Sequence, residues 1–129
     1  MAIGSKLRIT FASAFLLTLV ACGSSASTSS APAGDDLTGG AALGTAAATV
    51  NATDDLKFDP ATTMVHPGEI VEWKNPGTMP HNITFASHAA ADDVSFGVGQ
   101  TWQVKFTKAG TYSYQCTLHP GMTGSVMVG

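Results

Sequence analysis

Residues 110–128 read Gly110-Thr111-Tyr112-Ser113-Tyr114-Gln115-Cys116-Thr117-Leu118-His119-Pro120-Gly121-Met122-Thr123-Gly124-Ser125-Val126-Met127-Val128. Tyr112, Tyr114 and Cys116 alternate with polar residues, and Val126 and Val128 resume the alternation after the Pro120-Gly121 turn. Alternation with period two places every second side chain on one buried face, so the stretch predicts two strands joined by a loop. The same rhythm recurs upstream. Val71 and Trp73 flank Glu72, Ile83 and Phe85 flank Thr84, and Trp102, Val104 and Phe106 interleave with Thr101, Gln103 and Lys105. Turn signals separate these runs at Asp59-Pro60, His66-Pro67-Gly68, Asn75-Pro76-Gly77 and Lys108-Ala109-Gly110. Residues 86–93 (ASHAAADD) offer the one place for a helical turn and read as a loop crossing between sheets. Short strands with one wet face and frequent turns predict an all-β sandwich or open barrel.

Beyond these strands the composition sets limits. The chain has 129 residues, enough for one domain, with 6 Lys plus Arg against 9 Asp plus Glu. A net charge of −3 supplies no cationic field for nucleic acid. Lys6 and Arg8 precede the uncharged run Ile9–Val20, which is short for a membrane span but suits a signal-peptide core. The run ends in Leu19-Val20-Ala21-Cys22, which resembles the bacterial lipobox. That resemblance implies a signal peptide over residues 1–21 and a lipid on Cys22. Residues 22–48, rich in Ser, Ala, Thr and Gly without an aromatic residue, are expected to form a flexible, disordered tether. The folded domain is expected over residues 49–129, about eighty residues, a size at which a metal or another staple helps stability.

Cys116, His119 and Met122 place a thiol, an imidazole and a thioether at spacings of three and three, just after a strand. These are soft and borderline donors. Thiolate and thioether favour copper, and a His₂Cys set with a weak axial Met is the blue-copper arrangement. Pro80-His81-Asn82 supplies the second imidazole at the entry to a strand over 82–85. A disulfide between the two cysteines is the competing reading for an exported protein. Lipidation consumes Cys22 and leaves Cys116 as a free thiol for a metal to hold. His66 and His88 fall on polar or turn-like segments and read as ordinary exposed residues, Met64 and Met79 lack the ligand-loop setting of Met122, and Trp73 and Trp102 read as core.

The domain resembles the cupredoxins of the plastocyanin and amicyanin type. The likeness rests on Val71-Glu72-Trp73-Lys74-Asn75, the Pro80-His81-Asn82 turn, the approach from Gly110 to Cys116, the Cys-x₂-His-x₂-Met loop, and the closing Gly124-Ser125-Val126-Met127-Val128. It implies a Greek-key β-sandwich or barrel. It also implies one type 1 copper ion, with His81, Cys116 and His119 as equatorial ligands, Met122 as the axial ligand, and Asn82 bracing the ligand loop. In resembling proteins the loop histidine, here His119, turns its outer edge to solvent within an apolar docking patch. Met79, Pro80, Pro120 and Gly121 are the candidates for that patch.

Four protein ligands leave no open position for substrate, which argues against an enzyme. The resulting expectation is a monomeric electron carrier, lipid-anchored on the extracytoplasmic face of a bacterial membrane. It would shuttle single electrons between a redox donor and a redox acceptor. The alternative is a copper-binding protein for extracytoplasmic capture or delivery. An oxidase or nitrite reductase needs more copper centres and histidines than this chain has, and a metal-free interaction module is the remaining reading of a β-sandwich.

Overall fold

Pairing of the alternating runs produces two sheets, and the computed structural model describes residues 36–129. Nine strands follow in order: β1 (Leu37–Gly40), β2 (Ala48–Thr53), β3 (Lys57–Asp59), β4 (Thr62–Val65), β5 (Ile70–Lys74), β6 (Thr84–Phe85), β7 (Thr101–Phe106), β8 (Gly110–Gln115) and β9 (Thr123–Val128). One sheet has the order β1-β7-β5-β2-β3 and the other β4-β9-β8-β6. From β3 to β8 the chain changes sheet at every connection, as an all-β Greek-key sandwich requires. Two pairs, β2 with β5 and β4 with β9, are parallel, and the remaining ladders are antiparallel. A single 3₁₀ turn at Ala89–Ala91 lies in the crossing between β6 and β7. Among the described residues, no helix is long and apolar enough to cross a membrane.

The inward positions make a core rich in aromatic rings. Trp73 meets Phe85 and Tyr114 edge-on at centroid distances of 5.9 and 5.2 Å, and Phe58 meets Tyr114 at 4.8 Å. Such edge-to-face pairs add to the gain from apolar burial. Tyr114 lies so close to Gly124 on β9 that a Cβ there would collide with its ring. The buried tyrosine hydroxyl is pushed up to about 12 by desolvation, so it stays neutral in the core.

Three sequence expectations change. First, the boundary at residue 48 lies inside the folded domain. Residues 37–40 pair with β7 in antiparallel register, Leu37 opposite Phe106, and Leu37 joins the core. Gly39 is there for contact: a Cβ would strike the Ala91 backbone and the Trp102 ring. Gln103 clasps the next segment, its Oε1 accepting Leu43 N–H at 2.6 Å and Gly44 N–H at 3.0 Å, while its Nε2 donates to Gly44 O at 3.0 Å. Second, this clasp buries Gln103, a position the alternation assigns to solvent. Third, the strand expected over 82–85 is regular only at Thr84–Phe85, because Ile83 instead bridges Asp93. The signal peptide of residues 1–21, the lipidated Cys22 and the tether up to residue 35 lie outside the described residues.

Leu37→Ala tests the enlarged domain. A core leucine at this position makes the variant about 2–5 kcal/mol less stable, read from denaturant unfolding; a leucine in a tether would leave the unfolding curve unchanged.

Candidate metal centre

Cys116 follows directly on β8, where alternation turns its side chain inward, and it is 3% exposed. The chain then loops out and returns at Met122, whose carbonyl accepts Cys116 N–H at 2.9 Å. His119 carbonyl accepts Met122 N–H at 3.3 Å, tightening the loop from within. Gly121 takes φ 83°, a left-handed conformation that Gly adopts without a Cβ penalty, and this lets the loop turn after Pro120. Met122 is buried as the loop re-enters the core. His81 arrives from the other segment, anchored by its N–H to Phe96 O at 3.1 Å, and is buried as well.

The donor atoms converge. Sγ of Cys116 lies 3.5 Å from His119 Nδ1 and 4.0 Å from His81 Nδ1. Donor atoms of His81, Cys116 and His119 all lie within 4.8 Å of one another. Metal–sulfur and metal–nitrogen bonds of about 2.3 and 2.0 Å at a tetrahedral angle separate their donors by about 3.5 Å, so the spacing suits a shared ion. Burial first, then the neighbouring His119, hold the His81 imidazole below its ordinary value of 6.5, with Asp54 acting the other way. The neutral ring is the ligating form. Among the described residues His81 Nε2 is buried without a hydrogen-bond partner, and Nδ1 is the nitrogen aimed at the donor cluster. His119 is only half-buried, its ring edge-on to His81 with centroids 5.0 Å apart.

Asn82 joins the two segments as expected of a brace. Its backbone N–H points at Cys116 Sγ (3.4 Å), its Oδ1 accepts Thr117 N–H (2.7 Å), and its Nδ2 donates to Thr117 Oγ1 (2.6 Å). Of the expected patch, Pro80, Pro120 and Gly121 are exposed and Met79 is half-buried. Leu118, 52% exposed within the ligand loop, is an apolar neighbour the sequence reading did not single out.

Two further supports escaped the sequence reading. Asn75, 1% exposed, donates through Nδ2 to Met79 O at 2.9 Å and to Phe96 O at 3.4 Å, and its Oδ1 accepts Gly77 N–H at 3.2 Å. The Asn-Pro-Gly turn signal was visible, but the tie to Phe96, twenty-one residues on, was not. Asp54, from the turn between β2 and β3, accepts Thr78 N–H at 2.9 Å, the Thr78 hydroxyl at 2.9 Å and Met79 N–H at 3.2 Å. A Cβ on Gly77 would run into this carboxylate. Hydrogen bonds from Thr78, backbone first, lower the Asp54 pKa from its ordinary 3.8. No local motif marks Asp54.

A largely buried His₂Cys cluster with a methionine on the same loop, at one end of a two-sheet sandwich, defines a soft-metal protein of the copper-binding type. The chain belongs to the plastocyanin/azurin family of copper binding proteins, which matches residues 45–129. It is 39% identical over 77 residues to amicyanin-alpha of Methylorubrum extorquens, covering 57% of this chain and 65% of that one. It is 36% identical over 85 residues to the chloroplastic plastocyanin of Tetradesmus obliquus, covering 57% of this chain and 59% of that one. The chain thus spans a little under two thirds of the length of these relatives. A reduced amicyanin mutant superposes with TM-score 0.63 at 32% identity, over 74% of this chain and 100% of its own. A Cu(I) form of another amicyanin mutant gives 0.62 at 33% identity, over 74% and 100%. The fold is therefore a cupredoxin fold, and the centre is suited to one copper ion.

Asp54→Ala removes the strap on the segment leading to His81. The lowered carboxyl favours the folded state fully above pH 3.8 and loses this effect as pH falls through its depressed value. Thermal unfolding across pH is expected to place the variant below wild type at neutral pH and bring the two together in acid. An undiminished gap at the acid limit would contradict this role for the carboxylate.

Proposed function

We propose that the protein is a type 1 copper protein that carries single electrons between redox partners. The observation behind this reading is the cluster of Cys116 Sγ and the two histidine Nδ1 atoms at 3.5 and 4.0 Å, with Cys116 and His81 buried and His119 half-buried. His81, Cys116, His119 and Met122 would hold the copper ion. Copper bound there supplies a one-electron Cu(II)/Cu(I) couple. Deprotonation of Cys116 accompanies loading, because the thiolate is the ligating form. Asn82 holds Cys116 and Thr117 in place in either oxidation state, which keeps reorganisation small.

Burial of His81, Cys116 and Met122 excludes water from most of the centre, and four protein donors leave no position for a substrate. The chain is accordingly not an enzyme. His119, half-buried, is the route for the electron to the surface. Around it Pro80, Pro120, Gly121 and Leu118 are exposed and Met79 is half-buried, forming the patch on which donor and acceptor dock. Lipidation of Cys22 and the segment up to the domain hold the carrier on the extracytoplasmic face of a bacterial membrane.

Anaerobic titration of Cu(II) into the full chain, followed by reduction and reoxidation, tests the reading. An intense blue band that bleaches and returns is expected, and Cys116→Ser is expected to abolish it. Copper binding with weak colour, or Cu(I) binding without a reversible cycle, would instead favour copper capture or delivery. Cys22→Ala tests the anchor separately: it should move the protein from the membrane fraction to the soluble fraction of the expressing cell.

A further inference from the structure

The outward face of the four-stranded sheet is polar along most of its area. Thr62 on β4, Thr111, Ser113 and Gln115 on β8, and Thr123 and Ser125 on β9 occupy its outward positions, while Thr63, Val65, Tyr112, Tyr114, Val126 and Val128 between them are buried. Two methionines interrupt this surface. Met64 and Met127 are register partners in the parallel ladder of β4 and β9, so both stand on the same outer face as immediate neighbours. They are 77% and 43% exposed. An apolar side chain left in water gains little from folding, so core packing does not account for the pair.

A third donor lies beside them. His66 follows two residues after Met64 and is exposed, and its Nδ1 is 2.6 Å from the carbonyl oxygen of Gly129. That backbone oxygen only accepts, so Nδ1 is the donor and Nε2 is the nitrogen left to face a metal. That is the arrangement of a ligating histidine, in which a hydrogen bond to one nitrogen fixes the tautomer and orients the other. The backbone N–H of His66 is tied in addition to Glu69 Oε2 at 2.7 Å. Met64, His66 and Met127 line one cleft of about 640 Å³.

We propose that Met64, Met127 and His66 form a second metal site, exposed on the sheet face and selective for the soft monovalent ion Cu(I). Two thioethers and one imidazole match Cu(I) in softness; Glu69 also lines the cleft, its Oε2 accepting the His66 N–H. Met127 is five residues along β9 from Met122, about 16 Å at the rise of a strand, so the two sites are separate. They share no residue, and the proposal stands independently of electron transfer at Cys116.

The test is an anaerobic titration of Cu(I) into the full chain carrying ¹³C-methyl methionine, with free Cu(I) set by a competing chelator. The first equivalent is expected to shift the Met122 methyl, and the second to shift the Met64 and Met127 methyls together. Met64→Leu with Met127→Leu, near-isosteric changes on an exposed face, should lose the second equivalent and keep the first. Methyls of Met64 and Met127 that stay unmoved past the first equivalent, or a second equivalent that survives the double substitution, would overturn the site. An unmoved Met122 alongside shifts at Met64 and Met127 would count against the electron-carrier reading and leave this site standing.

Discussion

The amide of Asn82 accepts Thr117 N–H and donates to the Thr117 hydroxyl, while its own backbone N–H points at the Cys116 sulfur. These contacts join two segments more than thirty residues apart in the chain. Without them, the loop from Cys116 to Met122 would rest on its own two backbone bonds, Cys116 N–H on Met122 O and Met122 N–H on His119 O. His81 would likewise depend on Phe96 alone for its backbone position. Asn82 and Cys116 are buried, so breaking a bond of the tie strands a buried group, at a cost larger than the net worth of a single hydrogen bond. The separation between His81 and Cys116 is thus set by a saturated polar network, which has little freedom to relax.

Support for that network reaches outward in layers. Asn75 holds Met79 and Phe96, and Asp54 holds Thr78 and Met79, so the segment preceding His81 is fastened from two sides. Beneath lies the cluster of Trp73, Phe85 and Tyr114, with Tyr114 packed on the bare backbone of Gly124. A centre built this way is rigid for reasons unrelated to any metal: closely packed rings and satisfied amides leave no alternative arrangement of similar energy. Rigidity of this kind suits a site whose occupant changes charge, because the ligands need not move to follow it.

The outward face of the four-stranded sheet follows another rule. Hydroxyl and amide side chains cover the outward side of the four-stranded sheet, as solvent exposure favours, except where Met64 and Met127 meet. Along the chain these two methionines are over sixty residues apart, and each alone resembles any exposed side chain. Parallel pairing of β4 with β9 makes them neighbours, and the tie from His66 Nδ1 to the Gly129 carbonyl presents the imidazole beside them. One small domain thereby carries sulfur and imidazole donors in two settings, buried at the loop end and exposed on the sheet.

Period-two alternation made most of the strands legible, since a one-sided sheet forces polar and apolar residues to alternate; Tyr112, Tyr114, Val126 and Val128 lie where that pattern places them. The donor cluster was legible too, because three of its members sit within seven residues and their chemistry is specific. The alternation could not reveal β1. Its glycines resemble a linker until Ala91 and Trp102 are seen to occupy the space a Cβ would take, and its single anchor, Leu37, is too little pattern to announce a strand. Gln103 broke the rule for a similar reason, its burial coming from backbone partners about sixty residues away. The sequence by itself determined the β class, the donor types and the loop that carries three of them, because these depend on local periodicity and side-chain chemistry. Only the tertiary structure decided where the domain begins, how Asp54 and Asn75 hold His81, and that Met64 faces Met127, because each depends on pairing between distant segments.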